Sequence, residues 1–178
     1  MFLTILRVGY VDLKIVDYIQ KGLAEAYTDF SCRKAKAILQ VPTNAYDPVR
    51  CQYDSNIILS SILEYAMRQQ ADRVLGMTDL DLYVPSLNFV FGQAQHPGKA
   101  AIISLYRLKP EFYGHPSNDK LFKDRALKEA IHEVGHTLGL GHCQNPTCVM
   151  YFSNSILDTD RKTSALCTRC NLIGSANR

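Results

Sequence analysis

An α/β fold built on a mixed sheet is predicted for this 178-residue chain. Three observations predict it. Strand-like and helix-like apolar patterns alternate through the first 80 residues, as parallel βαβ units require. Two later apolar runs, NFVFGQAQ (88 to 95) and AAIISLYRL (100 to 108), flank the turn HPGK and read as an antiparallel hairpin. A long helical pattern then ends in HEVGHTLGLGHC, residues 132 to 143.

Phe2 to Val8 forms the first strand. Asp12 then caps a helix whose apolar positions Ile15, Ile19, Leu23 and Ala26 recur at helical spacing. A second strand runs from Ala35 to Val41 and stops at Pro42, followed by a helix from about Ser55 to Gln70 with Ile58, Ile62, Tyr65 and Ala66 on one side. Arg73 to Met77 is the next strand, and Leu80 to Pro85 leads into the hairpin. Turn residues from Lys109 to Lys120 precede a helix from about Ser117 to Leu138, with Leu127, Ile131, Val134 and Leu138 as its buried stripe.

The length and a 47% apolar composition suit one core, hence a single domain over 1–178. A formal charge of +3 is too mild for a nucleic-acid binder. No run is long and apolar enough to span a bilayer, and the N-terminus lacks the basic region and cleavage site of a signal peptide. A cytoplasmic protein with reduced thiols is the expectation, with no membrane or nucleic-acid partner.

The chemistry is concentrated at the helix end. At 100° per residue, His132 and His136 fall roughly 140 to 180° from Leu127, so both imidazoles point away from the apolar stripe. An i, i+4 pair presents two nitrogens to one tetrahedral metal, and Glu133 beside the first is placed to handle a water. On a continuous helix His142 would swing toward the stripe, roughly 9 Å further along the axis. Gly139 and Gly141 supply a break that lets the chain turn and bring His142 back as third ligand, with a fourth position open. Chance assembly of the whole pattern is expected in about two of 100,000 scrambled sequences of this composition.

Four of the six cysteines crowd the last quarter. Cys143 and Cys148 are separated by four residues, Cys167 and Cys170 by two, and eighteen lie between the pairs. Such spacing asks for a four-cysteine zinc site, with two disulfides as the alternative. Cys32 and Cys51 read as ordinary small hydrophobes. His96 and His115, beside prolines in turn-like sequence, read as surface histidines.

HEVGHTLGLGH resembles the extended zinc signature of the metzincin metallopeptidases. With Cys143, QNPTC, VM and CTRC following, the chain resembles the archaemetzincin family in particular; DLDLYVPSLNFVFGQA (79 to 94) and VMYFSNS (149 to 155) add to that resemblance. It implies a metzincin-like fold: a mixed twisted sheet with backing helices and an active-site helix (1–141), plus a small zinc-bound C-terminal subdomain (142–178). It also implies a catalytic zinc on His132, His136 and His142, and a structural zinc on Cys143, Cys148, Cys167 and Cys170. Met150 would be the Met-turn methionine and Tyr151 a possible oxyanion stabiliser. Phe89 to Ala94, with Phe91, Gly92, Gln93 and Ala94 at its heart, would be the edge strand that pairs with an extended peptide.

The expected function is zinc-dependent peptide hydrolysis with Glu133 as general base, by a protein that needs two Zn2+ per chain and acts as a monomer. The alternatives are a zinc-stabilised binding module and an inactive pseudopeptidase with an occluded cleft.

Overall fold

The computed structural model describes residues 1–176. A five-stranded sheet organises it, in the order β2-β1-β5-β8-β7. Its strands are β1 (Phe2–Val8), β2 (Ser31–Leu39), β5 (Arg73–Thr78), β7 (Gly92–Ala94) and β8 (Ala100–Ser104). The first four in that order run parallel, and β7 closes one edge antiparallel to β8. The mixed sheet predicted from the hairpin is therefore present.

Three short strands, β3 (Tyr46–Asp47), β4 (Gln52–Asp54) and β6 (Leu82–Tyr83), form a second small sheet that the sequence pattern did not reveal. Strands of two or three residues are too short to carry a period-2 signal.

Alternation along the central strands sends residues to two cores. Leu3, Ile5, Leu75, Met77, Ala101 and Ile103 pack beneath helices α1 (Leu13–Ala26) and α3 (Asp119–Thr137). Leu6, Val8, Val74, Ala100 and Ile102 face α2 (Ser55–Arg68) on the other side. This two-sided burial is why the strands read as near-continuous apolar runs. Asp12 caps α1 as expected, accepting from Lys14 N at 2.9 Å, and α3 starts after Asn118, which accepts from Leu121 N at 3.0 Å. No helix among the described residues is long and apolar enough to cross a membrane.

Three expectations shift. β2 begins four residues before Ala35 and ends at Leu39, because Ser31 N donates to Met1 O and pairing with β1 starts at Phe2. Its Arg33, Lys34 and Lys36 hid it: this is a free sheet edge, where charges are tolerated and discourage pairing with other chains. The hairpin strands are shorter than their apolar runs, and Val90 instead bridges to Leu82. Leu127 is only partly buried, while Ile131, Val134 and Leu138 are fully enclosed.

The larger correction concerns the other side of α3. Only the apolar stripe was predicted to be buried, yet Arg125, Lys128, Glu129, His132 and Glu133 are buried as well. The C-terminal segment, including α4 (Ile156–Arg161) and α5 (Thr168–Ala176), accounts for part of this. Asp160 on α4 binds Arg125 through two bonds of 2.7 Å. One helical turn further on, Lys162 Nζ lies 3.0 Å from Glu129 Oε1, which also accepts from Thr159 Oγ1 at 3.1 Å. Removing one partner of such a pair leaves a buried charge uncompensated. Lys162→Met is expected to destabilise the protein by about 3–5 kcal/mol, and Lys162→Met with Glu129→Leu to recover most of that loss. Denaturant midpoints of the three proteins check both expectations.

Candidate active site and cysteine cluster

The site is assembled where α3 ends. Leu138 caps the helix and Gly139 follows at φ +83°, the left-handed conformation glycine accepts without a Cβ clash. Gly139 N donates to His136 O at 2.8 Å and Leu140 N to Gly135 O at 3.0 Å, the paired bonds of a Schellman motif. Leu140 is buried, which anchors the reversed chain. The predicted break thus falls at Gly139, and it returns His142 to the other two histidines.

Ligand nitrogens of His132, His136 and His142 lie within 4.8 Å of one another. His132 Nδ1 donates to Val149 O at 2.8 Å and His136 Nδ1 donates to Leu140 O at 2.7 Å. Both bonds place the ring proton on Nδ1 and leave Nε2 as a lone-pair donor. The two Nε2 atoms then face each other at 3.0 Å. Facing lone pairs repel unless a cation sits beside them, and tetrahedral Zn–N bonds of about 2.0–2.1 Å set ligand atoms roughly 3.3 Å apart. The donor set fits zinc.

Burial lowers the pKa of all three rings, His132 furthest and His136 to about 4, so the imidazoles are held in the neutral, metal-binding form. Glu133 is shifted the opposite way. Burial, reinforced by the nearby Glu129 carboxylate, raises its proton affinity well above the ordinary carboxylate range.

Glu133 faces β7. A Cβ on Gly92 would lie 2.6 Å from Glu133 Cγ and Oε1, so only glycine lets the edge strand pass this close to the carboxylate. Phe91, Gly92, Gln93 and Ala94 line a cleft of about 710 Å³ together with Glu133 and the three histidines. Beneath the histidines Met150 is fully buried, and its sulfur occupies the space that a Cβ on Gly135 would need, at 2.5 Å. Gly135 thereby admits both Met150 and the Tyr27 hydroxyl, which donates to Ile131 O at 2.7 Å.

Two side chains depart from expectation. Tyr151 is not among the cleft-lining residues; its neighbour Phe152 is, with its ring 4.9 Å from that of His142. His96 does line the cleft, its ring 5.7 Å from that of His136. No local sequence signal marks that contact across 40 positions. His115 is exposed and does not line the cleft, while Cys32 is half-buried and Cys51 exposed.

The thiols of Cys143, Cys148, Cys167 and Cys170 also converge within 4.8 Å, and all four are free, contrary to the disulfide alternative. Cys143 Sγ and Cys167 Sγ are 3.8 Å apart. Tetrahedral Zn–S bonds of about 2.3 Å demand that edge length, whereas an S–S bond is about 2.05 Å. The Cys170 backbone N–H helps lower the Cys167 pKa to about 7, whereas burial raises those of Cys148 and Cys170.

The profile of Peptidase family M54 matches residues 2–173. The chain belongs to that family. An archaemetzincin of Methanocaldococcus jannaschii is 46% identical over 170 residues, covering 96% of this chain and 90% of the relative. The crystal structure of archaemetzincin from Methanopyrus kandleri superposes with a TM-score of 0.87 at 38% identity, over 99% of this chain and 94% of that one. A zinc-dependent peptidase from Methanocorpusculum labreanum gives the same TM-score at 30% identity, covering 97% and 99% of the two chains. Membership of family M54 makes the protein a zinc metallopeptidase.

Proposed function

We propose that this M54 peptidase hydrolyses extended peptides, with Glu133 as general base and two zinc ions per chain. One observation carries the reading: the Glu133 carboxylate sits against Gly92 on a free strand edge, one residue from His132 and three from His136 on α3.

The register of β7 supports the mode of substrate binding. Phe91 O accepts from Ser104 N at 2.8 Å and Gln95 N donates to Ala100 O at 3.0 Å. In antiparallel pairing these bonds alternate, so Gly92 and Ala94 aim their N–H and C=O groups outward along the cleft. An extended peptide could extend the sheet there, antiparallel or parallel, using backbone bonds alone. Val84, Leu87, Phe89 and Phe152 supply apolar walls for its side chains.

His132, His136 and His142 would hold the catalytic zinc, which would supply Lewis acidity toward a water and the scissile carbonyl. Glu133 accepts the water proton as the O–C bond forms and the carbonyl π pair moves onto oxygen. As that pair returns and the C–N bond breaks, Glu133 passes the proton to the leaving amine. Its burial raises its affinity for the proton it must carry. The four thiolates would hold the second zinc in a closed, structural site.

Zinc per chain after loading tests the assignment, measured on the parent and on His136→Ala alongside a peptide-library digest. Two zinc ions falling to one, with cleavage lost, is the expected result. One zinc in both proteins would mean that only the cysteines hold metal, and the peptidase reading would fail for this chain.

A further inference from the structure

The turn between β7 and β8 is fastened to the active-site helix. Gly98 N donates to Thr137 O at 3.1 Å, satisfying a carbonyl that the last turn of α3 leaves without a helical partner. Gln95 Oε1 accepts from Lys99 N at 3.0 Å and Ala100 N at 3.2 Å, bracing the turn from within. The Arg73 guanidinium donates to Gly98 O from the start of β5. Gly98 itself has no room for a side chain, since its Cβ would meet Gln95 Cβ at 2.3 Å.

β7 and the end of α3 therefore run side by side, Gly92 opposite Glu133 and Gly98 opposite Thr137. His96 lies between these fixed points, in the cleft and edge-on to His136. It lies two residues beyond the end of β7, in the turn that Gly98 fastens to the helix. Glu133 meets the strand at Gly92, whereas His96 meets the helix at His136, so the general base and this imidazole border the histidine cluster at two different points. Peptide hydrolysis uses two such positions, because the base takes a proton from the water that attacks the carbonyl carbon while negative charge grows on the carbonyl oxygen.

Ser153 also lines the cleft, and its buried hydroxyl has no partner among the described residues, but a histidine ring against His136 is the donor nearest the ligand cluster in character and position. The Gln93 amide is held by Ser55 and by Asn56 Oδ1, the latter at 2.8 Å. Tyr151 does not line the cleft. We propose that His96 is a catalytic residue, whose ring N–H donates a hydrogen bond to the scissile carbonyl oxygen as it gains negative charge. This inference rests on the peptidase reading of the same site.

A purely structural role is the competitor, with the His96 ring only packing on His136. Two substitutions separate the two roles: His96→Phe keeps a ring and removes the donor, whereas His96→Gln keeps a donor and removes the ring. Acetohydroxamate is a suitable probe because its anionic oxygens bind a zinc with an open position, whatever the peptide specificity. Its affinity for the zinc-loaded proteins is measured by calorimetry, with zinc content determined on the same samples.

Unchanged zinc in both variants is expected, with acetohydroxamate bound roughly 10- to 100-fold more weakly by His96→Phe and within about threefold of the parent by His96→Gln. Equal affinity in parent and His96→Phe overturns the proposal, whatever His96→Gln does. Zinc loss in His96→Phe also overturns it, by making His96 a holder of the metal site. Weakening in both variants assigns the effect to lost packing and overturns it too. A zinc-loaded parent that binds no acetohydroxamate would instead remove the open-site peptidase reading, and the role of His96 with it.

Discussion

Glu133→Ala is expected to keep both zinc ions and to hydrolyse a parent substrate roughly 10²- to 10⁴-fold more slowly, the range associated with a positioned general base. Retention of metal follows from geometry. Glu133 contributes none of the three ligand nitrogens, and the bonds orienting the ligand rings run to Val149 O and Leu140 O, not to its carboxylate. Stability should not fall, because the substitution removes a carboxylate buried to 5% exposure beside the acidic Glu129. A melting temperature at or above that of the parent, with normal zinc and hydrolysis lost, would separate chemistry from folding. Hydrolysis at the parental rate would remove Glu133 from the mechanism. Zinc loss would show that its charge is needed to hold the ion, and the base role would then need a separate test with Glu133→Gln.

The parts of the site that were legible from the sequence are those encoded within one element or by a glycine-forced turn. His132, Glu133, His136 and the break before His142 share eleven consecutive residues, so helical geometry and one left-handed glycine suffice to place them. The cysteine spacing was legible for a related reason, since two short-spaced pairs restrict the ways four thiols can meet. Glu129 with Lys162 and His96 with His136 were not legible, because each contact joins residues more than 30 positions apart. A glutamate in mid-helix reads as a solvated face until another segment covers it. In the same way, His96 reads as part of a surface turn until Gly98 is seen bonded to Thr137. Burial of the α3 polar face and the reach of the cleft are both tertiary, and local periodicity carries no record of them.

Cys170→Ala is expected to eliminate the cysteine-site zinc and, with it, to weaken zinc at the histidines by roughly 10- to 100-fold, as loss of outer-shell support does. Cys170 lies on α5, 28 residues beyond His142, and is not a cleft residue. An effect at the histidines must therefore pass through the thiolate cluster. The connections are short. Cys143 follows His142 directly, and its N–H donates to Met150 O at 2.9 Å. Cys148 precedes Val149, whose carbonyl orients His132, while Tyr151 N donates back to Cys148 O at 2.9 Å. One cluster thus fixes the third ligand, the carbonyl behind the first and the methionine beneath them. Structural zinc contributes about 10–16 kcal/mol of apparent binding energy in isolated peptides, as large as the whole stability of a typical domain. Its removal should free the 142–151 segment even if the sheet and α1 to α3 persist. Chelator competition on the variant measures the histidine site by itself. A parental affinity there, with the second zinc absent, would establish that Leu140 and the packing of Met150 hold the ligands unaided. The weakened affinity would make the cysteine cluster part of the catalytic site's support, and conditions that oxidise its thiolates should then silence the peptidase without touching a histidine.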